Sequence, residues 1–337
     1  MVIAISGGGT GGHLIIAKNL AARLAKQGTK AIFIGSNRGQ DRAWFEGSEL
    51  FARTYFLQSS GVVDKKGFAK LASLLNILRL SLAARKILKQ NGVRALISVG
   101  GYSSAPASIA AILSRVPFFI HEQNAVCGRL NRLLRPFARA FYSSYEKPAF
   151  AYPIADIFFE TARLRTALKR VIFLGGSQGA SFINSLAVEL APKLLSLGYG
   201  VIHQCGEREF ERISQIYAQQ GLDVRLVGFC KNMHELIASA DLCVGRSGAS
   251  TLWELCANGL PAIFVPFPFA AADHQFYNAK FLKERGLCEI LRQEDASGER
   301  ILGLIESFDV ARASKGLLEL ADRNGAQAII DDVMSKI

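Results

Sequence analysis

The feature that most constrains the fold is a repeated unit: a short apolar run, a glycine-containing turn and a helical segment. The clearest example is the stretch 241–278, where the apolar residues Leu242–Gly245 precede a turn and then the helical segment Ala249–Asn258. Gly259, a residue type common just beyond a helix, separates this segment from a second apolar run, Pro261–Val265. Such tandem units predict a parallel sheet with ligand-binding groups at the carboxyl ends of its strands.

Polar residues of this stretch stand where a bound ligand would lie. Ser247 and Gly248 offer backbone N–H groups near a helix N-terminus, an arrangement that favours an anion. Glu254, in the second turn of the same helix, is suited to accept two hydrogen bonds from a ribose diol, although a solvated helix face also explains it. The next helix is predicted to begin at His274, with Asp273 as its N-cap, and to present groups suited to sugar hydroxyls.

Three further apolar runs end in glycine-rich loops that precede predicted helices. These loops are residues 6–13 (SGGGTGGH), 100–106 (GGYSSAP) and 175–180 (GGSQGA). The first contains the spacing G-x-G-x-x-G, but the next predicted strand, Ala31–Ile34, ends in Gly35-Ser36 and not in the acidic residue that would hold a dinucleotide ribose. A nicotinamide-dependent enzyme is therefore disfavoured, and the loop is interpreted as a pyrophosphate-binding turn.

Two titratable residues of the first half are candidates for acid–base chemistry. His13 stands at the rim of the first glycine loop, where a histidine near its ordinary pKa can take a proton from a sugar hydroxyl, or serve only as a core or capping residue. Glu122 follows the predicted strand Pro117–Ile120, within His121-Glu122-Gln123-Asn124. Glu122 and Asn124 are candidate acceptor-sugar contacts, and Glu122 is also a candidate second acid–base group or a partner that orients a histidine.

The two halves of the chain differ in charge. Residues 1–155 carry 21 Lys and Arg residues against 6 Asp and Glu, whereas residues 156–337 carry 19 against 22. The first half is therefore expected to face an anionic partner, such as nucleic acid, anionic lipid or a phosphorylated acceptor. Nucleic acid is the least favoured, because few aromatic residues accompany the cations and no nucleic-acid-binding motif is present.

A predicted helix at Phe68–Lys89 combines leucines with cations, and no carboxylate occurs between Lys65 and Glu122. The segment is either a core helix with a basic rim or a helix whose apolar flank enters an anionic membrane surface. Four leucines fall on one helical face: Leu71, Leu75, Leu78 and Leu82.

Composition argues against several other classes. The six cysteines are scattered without a C-x-x-C pair, so we expect reduced thiols. The five histidines show no metal-ligand spacing, which argues against a structural zinc site. We expect no signal peptide, and no window reaches the about 18 apolar residues that a transmembrane helix needs.

Taken together, these motifs resemble those of glycosyltransferase family 28, the peptidoglycan N-acetylglucosaminyltransferases. The resemblance rests on RSGASTLWE, GLPAIFVPFP and DHQ-x-x-NA near the end of the chain, and on GGTGGH, GGY-x-S-x-P, HEQN and GGSQGA before them, in family order. It implies two doubly wound, Rossmann-like α/β domains that face each other across a cleft. Residues 1–155 would form the acceptor- and membrane-facing domain, with a last helix at about 322–337 packing back on it, and residues 156–321 the UDP-GlcNAc-binding domain.

The resemblance also implies a reaction: inverting transfer of GlcNAc from UDP-GlcNAc to the 4-hydroxyl of MurNAc in undecaprenyl-pyrophosphoryl-MurNAc-pentapeptide. The enzyme would act peripherally at the cytoplasmic face of the bacterial inner membrane, against anionic lipid. No cofactor is implied, and because the chain has no Asp-x-Asp pair we expect a divalent metal to be dispensable. Two rivals remain, a UDP-sugar 2-epimerase and a non-catalytic nucleotide-sugar-binding subunit.

The resemblance assigns roles to individual residues. The catalytic base would be His13 or, less favoured, Glu122. The acceptor pyrophosphate would contact Gly8, Gly9, Gly101, Tyr102 and Ser103. Contacts with UDP-GlcNAc are implied for Thr10, Gly11, Gly12, Asn124, Ser177, Gln178, Asn184, Phe229, Ser247, Gly248, Ala249, Ser250, Thr251, Glu254, His274 and Gln275.

Overall fold

The computed structural model of the chain describes residues 1–59, 67–175 and 180–337, apart from the side chains of residues 67–71 and 74. The chain divides into two compact units, Met1–Ile154 together with Asn324–Ile337, and Ala155–Arg323. Each unit contains a six-stranded parallel sheet flanked by helices. The predicted fold class, two doubly wound Rossmann-like α/β domains, is therefore confirmed.

The sheet of the first unit places two glycine loops side by side. Its strands lie in the order β3-β2-β1-β4-β5-β6, with every neighbouring pair parallel. Because the order reverses between β1 and β4, the loops after these two strands flank a crevice at the carboxyl edge of the sheet. The strands are β1 Val2–Gly7, β2 Lys30–Ser36, β3 Arg53–Leu57, β4 Val93–Gly100, β5 Phe118–Glu122 and β6 Ala140–Ser143.

Helices flank this sheet, and the central positions of its strands are apolar and buried. Ile5, Phe33, Ile97 and Phe119 are fully buried, as is typical of a parallel sheet between helical layers. The helix predicted at Phe68–Lys89 is confirmed as α3. The described helices are α1 Gly11–Lys26, α2 Asp41–Phe45, α3 Gly67–Gln90, α4 Ala105–Leu113 and α5 Arg129–Leu134, with 3₁₀ turns at Tyr102–Ser104 and Arg135–Phe137.

The second unit repeats the arrangement. Its strands are β7 Arg170–Leu174, β8 Gly200–Gln204, β9 Arg225–Val227, β10 Leu242–Gly245, β11 Ala262–Phe264 and β12 Cys288–Ile290. They lie in the parallel order β12-β11-β10-β7-β8-β9, which reverses between β7 and β10. The loops after β7 and β10 therefore flank the corresponding crevice.

The helix after β10 begins and ends where the sequence predicts. Gly259 follows it with a φ of 70°, a left-handed conformation that glycine adopts without the Cβ penalty of other residues. The helices of the second unit are α6 Asp156–Glu160, α7 Ser181–Ser196, α8 Glu207–Gln219, α9 Met233–Ser239, α10 Ala249–Asn258, α11 His274–Lys283, α12 Gly298–Ser307 and α13 Val310–Leu320, with 3₁₀ turns at Ala271–Asp273 and Gln293–Asp295.

The last helix, α14 Gly325–Ser335, belongs to the first unit. It packs against α1, and the hydroxyl of Tyr142 on β6 donates to Asp332 Oδ2 at 2.8 Å. At its start, the Gly325 N–H donates to the carbonyl of Tyr152 at 3.0 Å. None of the helices that the structure describes combines the length and apolar character needed to span a bilayer.

Candidate functional site

The two glycine loops of the first unit pack backbone to backbone. The Gly8 N–H donates to the Gly100 carbonyl at 3.1 Å. Gly101 has a φ of 78°, and a Cβ at this position would overlap the carbonyl oxygen of Gly8. Gly101 is therefore required by the close approach of the two loops as well as by its own backbone conformation.

Asp41, at the start of α2, is a residue of this site that the sequence reasoning missed. Its fully buried carboxylate accepts hydrogen bonds from the Gly9 N–H at 2.5 Å and the Ser36 N–H at 2.8 Å. Burial raises the pKa of the carboxyl, against the opposing effect of those hydrogen bonds. A Cβ at Gly8 or Gly35 would collide with this carboxylate, so Gly8 of the predicted phosphate loop and Gly35 after the apolar run of β2 both make room for Asp41.

These contacts change the expected role of the first loop. The N–H groups of Gly8 and Gly9, predicted to bind the acceptor pyrophosphate, are already hydrogen-bonded within the protein. The amides of the first turn of α1, which begins at Gly11 after the exposed Thr10, lie at the positive end of the helix dipole and suit an anion better.

The second glycine loop contributes one partly exposed side chain. The ring of Tyr102 packs on Gly9, and its hydroxyl donates to the Arg38 carbonyl at 3.0 Å. Ser103, predicted to contact the same pyrophosphate, is only 1% exposed. Its hydroxyl therefore faces the protein interior, and the structure does not support a ligand contact from this side chain.

His13 lies in the first turn of α1, where the two loops meet. Its Nδ1 lies 2.9 Å from Thr10 Oγ1, and its Nε2 lies 3.0 Å from the side-chain nitrogen of Gln123. The edge of the ring covers Gly100, where a Cβ would lie 3.2 Å from Nε2. The partly buried imidazole thus stands at the rim of the crevice, with polar side chains on both ring nitrogens.

Glu122 organises a turn and does not face a ligand. Its side chain is 4% exposed and accepts hydrogen bonds from the Asn124 N–H at 3.0 Å and the Gly128 N–H at 2.9 Å. A third hydrogen bond, from Asn131 Nδ2, is 2.8 Å long. A carboxylate with three internal donors is poorly placed to exchange protons with a substrate, so this geometry favours His13 over Glu122 as the base.

In the second unit, the turn between β10 and α10 contains a buried hydroxyl that has no partner among the described residues. Ser247 is fully buried, and its hydroxyl has no hydrogen-bond partner among the described residues. Its carbonyl accepts from Asn278 Nδ2 at 3.2 Å, which fixes the turn against α11. Gly248 occupies the N-cap position of α10 with extended backbone. An anionic group at this helix N-terminus would meet the positive end of the helix dipole.

The first turn of α10 is itself largely buried. Ala249 is 5% exposed and Ser250 is 7% exposed, whereas Thr251 is partly exposed. The contacts predicted for Ala249 and Ser250 would therefore come mainly from their backbone N–H groups, which point out of the helix N-terminus.

Glu254 is buried and has no hydrogen-bond or ion-pair partner within the described part of the chain. It lies in the second turn of α10 and is 8% exposed. Burial raises its pKa to about 8. A buried carboxylate without donors is costly, and two ribose hydroxyls would supply the missing hydrogen bonds.

The loop before α11 corrects one prediction. Asp273 occupies the N-cap position but makes no capping hydrogen bond, because its φ of 54° turns the side chain away from the helix. Its carboxylate instead accepts two hydrogen bonds from Arg292, at 2.8 and 2.6 Å, and the Arg292 guanidinium lies 4.0 Å from the centre of the Phe276 ring. Ala272 also has a positive φ, 52°, so two consecutive non-glycine residues hold strained backbone in this loop.

The two polar side chains that follow hold the same loop. Gln275 Oε1 accepts from the Phe267 N–H at 3.0 Å, and His274 Nδ1 donates to the Ala271 carbonyl at 2.9 Å. The side-chain NH₂ group of Gln275 and Nε2 of His274 can therefore form hydrogen bonds with a sugar.

The remaining residues predicted to contact UDP-GlcNAc differ in their exposure. Asn184 is fully buried: its Nδ2 donates to the Cys205 carbonyl at 3.0 Å, and its Oδ1 lies 3.1 Å from His203 Nε2. Asn184 thus lies in the interior, with its Oδ1 3.1 Å from where a Cβ of Gly175 would be, and both of its side-chain polar atoms contact the protein. Phe229, in contrast, is 60% exposed just after β9, as a base-stacking residue would be. Ser177 and Gln178 lie outside the described residues.

Metal ligands and disulfides are not features of the described site. Within residues 1–59, 67–175 and 180–337, no cluster of three or more His, Cys, Asp or Glu side chains is arranged to hold a metal ion. All six cysteines are free thiols, as predicted from their spacing.

Two Rossmann-like domains with anion-suited helix N-termini at their switch points are the architecture of a GT-B glycosyltransferase. The chain belongs to glycosyltransferase family 28: the model of the family's N-terminal domain matches residues 3–143, and that of its C-terminal domain matches residues 170–332.

Curated relatives match along the whole chain. One from Campylobacter hominis is named UDP-N-acetylglucosamine--N-acetylmuramyl-(pentapeptide) pyrophosphoryl-undecaprenol N-acetylglucosamine transferase and is 57% identical over 337 residues, covering 100% of this chain and 98% of the relative. A relative of the same name from Campylobacter fetus is 50% identical over 335 residues, covering 99% and 100% of the two chains.

Solved structures agree on the fold. The crystal structure of Acinetobacter baumannii MurG aligns with a TM-score of 0.78 at 27% identity, covering 100% of this chain and 99% of that one. Spinosyn rhamnosyltransferase SpnG, complexed with thymidine diphosphate, aligns with a TM-score of 0.69 at 15% identity, covering 99% and 100%. At that identity the second alignment speaks for the fold alone.

Proposed function

We propose that this chain transfers GlcNAc, with inversion, from UDP-GlcNAc to the 4-hydroxyl of MurNAc in undecaprenyl-pyrophosphoryl-MurNAc-pentapeptide. The observation that carries this proposal is the 57% identity, over the full chain, to a relative named for that reaction. The site geometry supports it, because each unit places an anion-suited helix N-terminus at the switch point of its sheet.

The second unit, residues 155–323, binds the donor. The Glu254 carboxylate accepts hydrogen bonds from the two ribose hydroxyls. These supply the hydrogen-bond donors that the buried carboxylate lacks among the described residues. The first-turn amides of α10, after Ser247 and Gly248, face the diphosphate. Phe229 packs on the uracil ring, and the NH₂ group of Gln275 reaches the sugar.

The first unit, with its excess of cations, binds the lipid-linked acceptor. The first-turn amides of α1, including those of Gly11 and Gly12 for which the resemblance implied contacts with UDP-GlcNAc, face the acceptor pyrophosphate in this proposal. His13 takes the proton of the acceptor 4-hydroxyl as that oxygen attacks the anomeric carbon, and the bond from this carbon to the UDP oxygen breaks. The charge that develops on departing UDP is stabilised by oriented amides and helix dipoles. We expect no essential divalent metal, because the chain carries no Asp-x-Asp pair.

An apolar, basic face of α3 attaches the first unit to anionic lipid at the cytoplasmic face of the inner membrane. Three leucines predicted to share a helical face are exposed: Leu75 is 59%, Leu78 is 54% and Leu82 is 63% exposed. A core helix would bury them, so their exposure favours the membrane interpretation over the core alternative. Each Lys or Arg side chain close to an anionic membrane surface contributes about 1 kcal/mol to the free energy of membrane binding. The side chains of Leu71 and Lys70, with Lys65 and Lys66, lie outside the described residues.

The deciding experiment is transfer of labelled GlcNAc from UDP-GlcNAc to a short-chain lipid-linked MurNAc-pentapeptide, with EDTA present. We expect a β-linked disaccharide and one UDP released per sugar transferred. Free UDP-GlcNAc converted to its 2-epimer would instead identify an epimerase. Donor binding without turnover, after magnesium is restored and with an acceptor that an established family member uses, would identify a binding subunit.

Membrane attachment has its own test. The wild-type protein should co-sediment with vesicles that contain phosphatidylglycerol. A variant with serine at Leu75, Leu78 and Leu82 should remain in the supernatant. This variant should still act on the short-chain acceptor. The matched control is Leu197→Ser, which changes a 41% exposed leucine of the second unit. Equal sedimentation of the triple variant and the wild type would refute the assignment of this face.

A further inference from the structure

The proposed base, His13, has a neighbour to which neither the family match nor the sequence reasoning gives a role. Gln123 follows Glu122 at the end of β5, and its side-chain nitrogen lies 3.0 Å from His13 Nε2. The other ring nitrogen, Nδ1, lies 2.9 Å from Thr10 Oγ1. Gln123 is 8% exposed, so the contact is shielded from water.

The chemistry of this contact determines the protonation of the ring. A side-chain NH₂ group can only donate, so the atom that faces it, His13 Nε2, must be the lone-pair nitrogen. The ring proton of neutral His13 then resides on Nδ1, where the hydroxyl of Thr10 can accept it. This assignment follows from the orientation of the Gln123 amide, and it makes Nε2 the nitrogen that receives a proton.

We propose that Gln123 is a positioning residue for His13. Its amide donates a hydrogen bond to Nε2 and thereby fixes the ring in the Nδ1–H tautomer. When substrate binds, the acceptor hydroxyl replaces this amide as the donor to Nε2. The catalytic part of this inference rests on the function proposed above. The tautomer and the ring orientation do not depend on it, because they are properties of the free protein.

A second observation shows where a substrate hydroxyl could bind the Gln123 amide. Its Oε1 is buried and has no hydrogen-bond partner among the described residues. A buried carbonyl oxygen without a donor costs about 1–3 kcal/mol, so a hydroxyl that donates to this oxygen would be bound favourably. An acceptor sugar that brings a hydroxyl to this place would donate to Oε1 and free His13 Nε2 in the same step.

The other ionisable groups around the ring do not take over this role. His121, on β5, is buried, and burial, together with the charge of His13, lowers its pKa to about 3, so it stays neutral. The Glu122 carboxylate is engaged by the amides of Asn124 and Gly128. Asp41 lies on the far side of the loop, bound to the Gly9 N–H. The Gln123 side chain, in contrast, contacts Nε2 directly.

The first test is the ¹⁵N chemical shifts of the His13 ring in the wild-type protein without ligands, assigned by comparison with His13→Gln. We expect the neutral ring to carry its proton on Nδ1, the minor tautomer of free imidazole side chains. An Nε2–H ring in the folded wild-type protein would overturn the proposal without any Gln123 variant.

The second test replaces Gln123 in two ways. Gln123→Glu presents an acceptor to Nε2, so we expect the tautomer to reverse and the pKa of His13 to rise by about 1–3 units. Gln123→Met removes the hydrogen bond at similar volume, so the Nδ1–H preference should disappear. Gln204→Met, which removes a buried amide of the second unit that donates to the Gly228 carbonyl at 2.8 Å, is the matched control and should leave His13 unchanged.

Kinetics then connect this geometry to the reaction. With the lipid-linked acceptor, the acidic limb of the kcat profile of Gln123→Glu should move to higher pH with its His13 pKa, while KM for UDP-GlcNAc stays within about twofold. Lower activity with an unshifted profile and tautomer in both Gln123 variants would reduce the residue to a packing role and refute the proposal. Absence of transfer by the wild-type protein would instead count against the proposed function.

Discussion

Each unit places a helix N-terminus at the switch point of its sheet, but the glycine loop after β1 and the turn after β10 differ in how their polar groups are paired. In the first unit the amides of Gly8 and Gly9 are bound to Gly100 and to buried Asp41. In the second unit, within the described residues, the buried Ser247 hydroxyl has no hydrogen-bond partner, and the 8% exposed Glu254 makes no hydrogen bond or ion pair. The loop after β1 is hydrogen-bonded within the protein, whereas we propose that the bound donor supplies hydrogen-bond partners to the turn after β10.

The difference has an energetic meaning. Each buried polar group without a partner costs about 1–3 kcal/mol, so the free second unit is less stable than its packing alone would make it, and a ligand that supplies the partners recovers that free energy on binding. The amides of Gly8 and Gly9 in the first loop are already hydrogen-bonded, so a ligand would recover no such free energy from them. The contribution of this loop is to hold α1 and His13 in place. Substitutions in the first loop should therefore act on stability and geometry, and those in the second turn on donor affinity.

The largest effect on stability is expected for Gly101→Ala. The new Cβ would overlap the Gly8 carbonyl oxygen and would also impose a φ of 78° on alanine. We expect the free energy of unfolding in urea to fall by about 3 kcal/mol or more, and acceptor turnover to fall with it. Gly28→Ala is the control, because its φ is 69° but nothing lies within 4 Å of the added Cβ. It should lose only about 1–2 kcal/mol, and equal losses would show that the loops are not tightly packed.

Glu254→Gln should affect binding and stability in opposite directions. The amide keeps the shape but loses a charged acceptor for the ribose, so KM for UDP-GlcNAc should rise about 10- to 100-fold while the acceptor KM is unchanged. Without ligand, the variant should be more stable than the wild type at neutral pH, because it removes a buried carboxyl whose pKa is raised to about 8. The control Glu319→Gln makes the same change on an exposed face of α13. Lower stability for Glu254→Gln would mean that the carboxylate has a partner.

The same carboxyl predicts a pH dependence of stability. Its pKa rises from 4.5 to about 8 on folding, so the folded protein binds an extra proton between these values. The free energy of unfolding of the unliganded protein should therefore fall as pH rises through this window. Glu254→Gln should flatten that slope, and saturating UDP should reduce it. An identical slope in the variant would assign the titration to another group.

Asp41→Asn tests the hydrogen bonding of the loop after β1 and should have a smaller effect than Gly101→Ala. One amide oxygen cannot accept from both the Gly9 and Ser36 N–H groups, so we expect a loss of about 1–3 kcal/mol in the free energy of unfolding. The acceptor KM should rise, and donor binding measured by calorimetry should stay the same. Glu49→Gln, an exposed carboxylate of the same unit, is the control. Weaker donor binding with an unchanged acceptor KM would reverse the roles assigned to the two units.

The smallest effect is expected for Phe229→Ala. Removing this 60% exposed ring, which we propose packs on uracil, should cost about 1 kcal/mol, or roughly a fivefold rise in KM for UDP-GlcNAc, with the free energy of unfolding unchanged. Phe229→Trp should retain affinity. Leu197→Ala removes another exposed apolar side chain, at the C-cap of α7, and should change neither quantity.

Much of the fold was predictable because it depends on local sequence. Apolar runs ending in glycine and followed by helical segments gave the order of β10, α10 and β11, and the glycine after α10 has the predicted left-handed backbone. The polar residues at strand ends were also recognisable, since parallel strands bring their carboxyl ends to one edge. In contrast, the capping role predicted for Asp273 was wrong, because Arg292, 19 residues further along the chain, binds its carboxylate.

The sequence by itself determined the two α/β units, the glycine turns and the candidate residues, because period, composition and motif are properties of neighbouring residues. Tertiary structure alone decided which candidates have internal partners: Glu122 and Asn184 do, whereas Glu254 does not within the described residues. It also brought Asp41 under Gly9 and Gln123 against His13. These contacts join residues 32 and 110 positions apart, and burial and hydrogen bonding at such separation depend on how strands are ordered in the sheet, which no local pattern encodes.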